Sequence, residues 1–180
     1  MVNGNLFVAD IGQNTIEEVS LAPAGANLGW NNWEGSFRYV GRNGVDAAQY
    51  QGERGPSYPV AEWGHPDPLL LGRSAATGVV VYRHGRIPQL ANLLLFGDFP
   101  SGEIFYVSAD DLPRGGQDAI RRVLLRDGGQ ARTLLSMMQD QNVRQGRDRA
   151  SRADLRFGEG PDRRLFLLNK HDGVIREVVR

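Results

Sequence analysis

The chain has no cysteine in its 180 residues, and Lys170 is the single lysine among 21 basic side chains. The missing cysteines exclude disulfides, thiolate metal sites and thiol nucleophiles. They leave the compartment open. The arginine skew is read as genomic base composition, because the net charge is zero and no field attracts nucleic acid or an anionic membrane surface. No apolar run approaches membrane-spanning length, and no signal peptide precedes the first strand. Helical periodicity is also missing from residues 42–73, where Pro56, Pro59, Pro66 and Pro68 rule out a long helix. Glycine and proline are plentiful, at 23 and 9 residues, as in an all-β chain with many turns. The length suffices for one domain with a sizeable core.

A repeat runs through this chain. Leu6, Phe7, Ile16, Glu18 and Val19 recur as Leu165, Phe166, Ile175, Glu177 and Val178 at a constant offset of 159 positions. At an offset of 88, Leu6, Asp10, Ile16 and Val19 recur as Leu94, Asp98, Ile104 and Val107. Each copy reads as an apolar strand, a turn holding Asp or Asn followed by Gly, and a second apolar strand. One hairpin is marginal in water. Three of them predict blades packed side by side, as in a β-propeller. The fold class is therefore all-β, a partial propeller of about three four-stranded blades.

The expected divisions of this single domain follow the repeat. Residues 1–40 make an incomplete first blade and an aromatic loop with Trp30, Trp33, Phe37 and Tyr39, whose rings plug onto the sheet. Residues 41–77 are a long inter-blade loop, 78–130 a second blade and 131–180 a third. Within these, 78–83, 92–98 and 103–108 read as strands, and 120–125 and 132–137 as outer strands. Residues 139–152 read as a solvated charged loop, and 154–158, 164–169 and 174–179 as three consecutive strands. Asp10, Asp98 and Asn169 recur at one point of each hairpin, which predicts turn capping by a side-chain oxygen. The first hairpin begins without the upstream strand that the other copies have. That predicts a chain starting inside a blade.

Four segments together resemble one known family. DIGQNTIEEV with GANLGWNNWEG, then TGVVVYRHGRIPQL, LLLFGDFPSGEIF and DLRFGEGPDRRLFLLNKHDGVIR are similar, in order, to the soluble pyrroloquinoline-quinone-dependent glucose and aldose (sorbosone-type) dehydrogenases. That fold is a six-bladed propeller, and this chain resembles its C-terminal half. The resemblance implies oxidation of a sugar hydroxyl by a His base, with hydride passing to the quinone and calcium polarising it. The catalytic His and most quinone contacts of the family lie upstream of the matching segment, so no catalytic residue carries over. His65, His84 and His171 match no catalytic motif and are read as turn or surface residues. The cations that hold the quinone carboxylates would fall at Pro100 or Ser101 and near Ser151 and Ala153. Arg149 and Arg152 are out of register there.

What the resemblance does carry over is a calcium site. Backbone carbonyls of Gly12, Gln13 and Leu28 and the carboxylate of Glu18 take the family's ligand positions, and calcium suits carbonyl and carboxylate oxygens. The expected whole is a sugar dehydrogenase-like protein, periplasmic or secreted, with the chain by itself not catalysing. Its expected partners are a sugar, and either the missing half-propeller or a second copy closing the ring. A non-catalytic propeller binding module is the competing reading.

Overall fold

We describe a computed structural model of the chain, covering residues 4, 6–66, 74–83 and 85–180. The strands are β1 (Leu6–Asp10), β2 (Ile16–Ala22), β3 (Trp33–Glu34), β4 (Phe37–Tyr39), β5 (Val45–Tyr50), β6 (Ala61–Gly64), β7 (Ala76–Tyr82) and β8 (Leu93–Asp98). They continue with β9 (Ile104–Ser108), β10 (Arg121–Val123), β11 (Leu125–Asp127), β12 (Gln130–Arg132), β13 (Arg156–Glu159), β14 (Leu165–Leu168) and β15 (Arg176–Val178). Among the described residues one α-helix, α1 (Leu134–Arg144), lies between β12 and β13, beside three single-turn 3-10 helices. Among the described residues these strands form five small antiparallel sheets, none of which closes on itself.

Three of these sheets stack. The middle one has the order β7-β8-β9-β10, flanked by β1-β2-β6 and by β13-β14-β15. Alternation along the middle strands explains the stack. Leu94, Phe96, Phe105 and Val107 pack with Val19, Ala61 and Trp63 of the first sheet. Leu95 and Tyr82 point the other way and pack with Leu165, while Ile104 meets Leu155 and Leu167. A strand buried on both faces needs a continuous apolar run, and the sequence LLLF provides it. Trp63 stacks on Phe96 with ring centroids 5.4 Å apart, locking the first interface. At Gly78 the β7–β8 register shifts, and φ of +48° with Phe157 only 3.0 Å from a Cβ explains the glycine.

Several expectations are corrected. Residues 41–77 are not a plain loop. Val45–Tyr50 joins the aromatic segment in a sheet of order β3-β4-β5, and Ala61–Gly64 pairs with β2 as the outer strand of the first sheet. Among the described residues the middle sheet has four strands, and the first and third have three each. The expected strand 132–137 and the start of the loop 139–152 are instead a helix. Thr133 Oγ1 accepts from the Ser136 amide as N-cap, and Leu134, Met138 and Asn142 are buried four residues apart. The strand expected over 120–125 divides between β10 and β11, the latter turning into β12 through Gly128 and Gly129. The stretch 67–73 and His84 lie outside the described residues.

The repeat is also offset in one place. Leu94 pairs with Val107 and Leu165 with Val178, so the second and third hairpins share one register. In the first hairpin Val19 pairs with Ala9, and Leu6 with Ala22. The gapless offset therefore holds on the returning strands and slips by three residues on the entering one. An odd slip inverts the faces. Phe7, not Leu6, points into the core, and Leu6 is 54% exposed.

Phe96→Ala should cost about 3–5 kcal/mol in urea denaturation, because it empties a site shared by Trp63 and Phe105. Leu124→Ala, at a 68% exposed position, should stay within about 0.5 kcal/mol. Equal losses would contradict the stacked-sheet core.

Candidate functional site

The hairpin turns and strand starts of the stack meet at one end. Glu17, on β2, reaches across to the middle sheet and accepts the Ala76 N–H with Oε2. Its other oxygen lies 2.6 Å from His65 Nε2. Asp98, at the end of β8, accepts from the Ala75 N–H (3.0 Å), the Ser74 hydroxyl (3.1 Å) and the Ser101 N–H (2.9 Å). The Trp63 indole donates to Ser74, extending the chain of bonds into the first sheet. On the other side Ala153 and Asp154 donate their amides to the Pro100 and Phe99 carbonyls. Asp98 and Asn169 thus cap their turns as expected, with Asn169 Oδ1 accepting from the His171 and Asp172 amides. Asp10 does not. It accepts no turn hydrogen bond among the described residues and borders a cavity instead.

That cavity, of about 270 Å³, is lined by Asp10, Ile11, Gly12, Gln13, Glu18, Trp30, Trp33 and Glu34. It brings together Gly12, Gln13 and Glu18 of the expected calcium set. Leu28 lies outside its wall, and Trp30 stands there in its place. The turn 11–15 is shaped by Gly12, where a Cβ would sit 1.8 Å from the Ile16 carbonyl oxygen. Glu34 sits beneath the turn. Its Oε1 accepts the amides of Asn14 (3.0 Å), Thr15 (2.6 Å) and Ile16 (2.9 Å). The Tyr39 ring packs on Trp30 with centroids 4.9 Å apart, and Trp30 stays 56% exposed at the rim.

The electrostatics are lopsided. Asp10, Glu18 and Glu62 stand opposite one another across three neighbouring strands, so like charges face each other on one side of the sheet. Glu62 is occupied by the Ser36 and Gly116 amides. Glu18 is buried, and desolvation followed by the Asp10 charge pushes its carboxyl up to about 8, against the pull of a Gly35 hydrogen bond. Among the described residues no Lys, Arg or His lines the cavity, and Arg38 is held by Glu53 at 2.9 Å. Among the described residues, no three His, Asp or Glu side chains could hold a metal by themselves. An ion here would need backbone oxygens as well, which the Gly12–Gln13 turn can offer.

A second cluster is basic. Buried Asp154 is met by Arg152 (2.9 Å), Lys170 (3.1 Å) and His171 (2.9 Å). Arg152 and Arg156 both stack on the Phe99 ring, 5.3 and 5.0 Å from its centroid. Arg149 is exposed. Sequence reading missed Arg156 and Lys170, whose positions depend on how the third sheet packs. It also missed Glu34, although a lone carboxylate between Trp33 and Gly35 in an aromatic loop was a usable signal.

No protein-family model matches the chain. It is similar to the HIPL1 protein of Arabidopsis thaliana, with 32% identity over 91 residues. That match covers 50% of this chain and 13% of the relative, so the chain spans a small part of that protein's length.

Glu18 gives the site a pH signature. Its folded value of about 8 exceeds the ordinary 4.5, so the native state holds a proton that the unfolded chain releases between those values. In chelator, stability should fall as pH rises from 4.5 towards 8, by on the order of a few kcal/mol, and Glu18→Gln should flatten that slope. Identical slopes for both proteins would contradict the burial argument.

Proposed function

We propose that this chain is the C-terminal half of a six-bladed, quinoprotein-like sugar dehydrogenase, contributing a calcium-binding turn and not catalysing by itself. The observation that supports this reading is the convergence of Gly12, Gln13 and Glu18 on one carboxylate-rich cavity that no cationic side chain lines among the described residues. Calcium there would be held by the Gly12 and Gln13 carbonyls and the Glu18 carboxylate. In the assembled protein, calcium would polarise the quinone while a His from the other half accepts the hydroxyl proton of the sugar. The remaining blades would come from an upstream half or a second copy, packing on the outer faces of the first and third sheets. Periplasmic or secreted placement belongs to the same reading. No helix among the described residues is long and apolar enough to cross a membrane.

A second reading, a non-catalytic propeller binding module, is favoured by the basic cluster. Arg152, Lys170 and His171 are already spent on Asp154, and Pro100 and Ser101 bring no cation to hold a quinone carboxylate.

Dye reduction with aldoses, in the presence of quinone and calcium, separates the two. The chain alone should give none, and a form extended upstream of Met1 should reduce the dye. Neither activity nor quinone absorbance in either form would leave the binding-module reading.

A further inference from the structure

Charge is divided unevenly along a chain whose net charge is zero. Residues 130–180 carry eleven Arg and Lys against seven Asp and Glu, and the remainder carries the opposite excess. The basic excess gathers where α1 ends. Between positions 144 and 152 stand Arg144, Arg147, Arg149 and Arg152 against Asp148 alone, and all five are exposed. Arg152 is committed to Asp154 and to the Phe99 ring. Among the described residues Arg144, Arg147 and Arg149 meet no carboxylate in an ion pair. Arg147 donates to the Gln145 side chain and to the Asp172 carbonyl instead. The Arg132 hydrogen bond first, then the Arg132, Arg149 and Arg144 charges, hold the Asp140 carboxyl below its ordinary range. These guanidinium groups therefore stand within electrostatic reach of a single acid.

The loop that carries them is fastened to the helix. Asn142, buried on α1, donates its side-chain amide to the Asp148 carbonyl (3.2 Å), and its backbone carbonyl accepts the Arg147 amide (2.8 Å). The Gln139 side chain donates to the Ala150 carbonyl at 2.9 Å. A backbone fixed in this way lowers the ordering cost of binding. A cation at a helix C-terminus offsets the macrodipole, which accounts for Arg144. Arg147 and Arg149 lie past the last turn, and that account does not cover them. We propose that this loop and the end of α1 form a binding surface for an acidic polysaccharide, a sugar polymer bearing carboxylate or sulfate groups. The guanidinium fork matches such groups in planar, bidentate contacts. Exposed cations spread along a loop suit a chain of repeated charges better than a single small ion. Residues 139–152 include no Phe, Tyr or Trp on which a nucleobase could stack, and Arg152 and Arg156 cover the Phe99 ring. Within that segment Val143 is the one large apolar side chain exposed, which is little to anchor a membrane surface. The surface is separate from the 11–15 cavity and does not depend on the calcium reading.

The test is biolayer interferometry of the chain on immobilised dextran sulfate and polygalacturonate, with uncharged dextran as the blank. The unaltered chain should bind at least one charged polymer and not the blank, with affinity falling as salt rises. Arg144→Ala with Arg149→Ala should bind at least about tenfold more weakly, with a shallower salt dependence and unchanged circular dichroism. Arg42→Ala with Arg54→Ala removes the same charge from exposed positions between β4 and β6, and should stay within about twofold. Equal binding by the loop variant, or an equal loss in the control variant, would overturn the assignment. So would no binding to either charged polymer, or tighter binding to a duplex oligonucleotide or to phosphatidylglycerol vesicles. Should the double variant not fold, Arg149→Gln alone decides, with at least about threefold weaker binding in support and unchanged affinity against.

Discussion

Buried carboxylates that accept backbone amides hold this molecule's turns and sheets in register. Glu17 joins the first sheet to the first residue of β7, and Asp98 caps the residue before it together with the turn at Ser101. Glu34 gathers three successive amides of the 14–16 turn, and Glu62 fastens Ser36 and Gly116 to the outer strand β6. Each contact satisfies donors that would otherwise be orphaned where strands end. Charged acceptors make such bonds shorter and stronger than neutral ones. The cost is a concentration of negative charge at one end of the stack, concentrated around Glu18.

The apolar core makes that arrangement possible. Because Leu94 and Phe96 face one way while Leu95 faces the other, the middle sheet is gripped from both sides and its ends are fixed. The turns at 11–15, 98–102 and 169–173 are then brought to one end, where an acidic cavity and a basic cluster lie on the first and third sheets. That end of the stack carries both signs of charge, with an exposed Trp30 at its rim.

Local pattern made much of this legible. The run LLLFGD and the β14–β15 hairpin form sheet strands, as their apolar runs and turn residues imply, whereas the segment after β2, read as an aromatic loop, contributes the strands β3 and β4. What escaped depends on distant partners. Ala61–Gly64 is too short to announce itself and becomes a strand because β2 offers it an edge. The helix from Leu134 was hidden because TLLSMM reads as strand-like, and its buried face ends on a polar Asn142 whose amide finds the Asp148 carbonyl. The register slip in the first hairpin has a similar origin, since Ile16 and Glu17 pair with β6 and leave a longer turn behind β1. Gly12, Gln13 and Glu18 were marked by resemblance, whereas Glu34 acts on amides 18–20 residues earlier in the chain.

The proposed function places a calcium ion in the cavity beneath the 11–15 turn. Trp30 and Trp33 form part of its wall, so an ion bound there would lie close to two indoles. Terbium luminescence excited through tryptophan tests this most directly, because energy transfer requires that proximity. The account predicts sensitised emission that rises to saturation on titration and is displaced by added calcium. Emission that never develops at millimolar terbium, or that calcium leaves untouched, would contradict it.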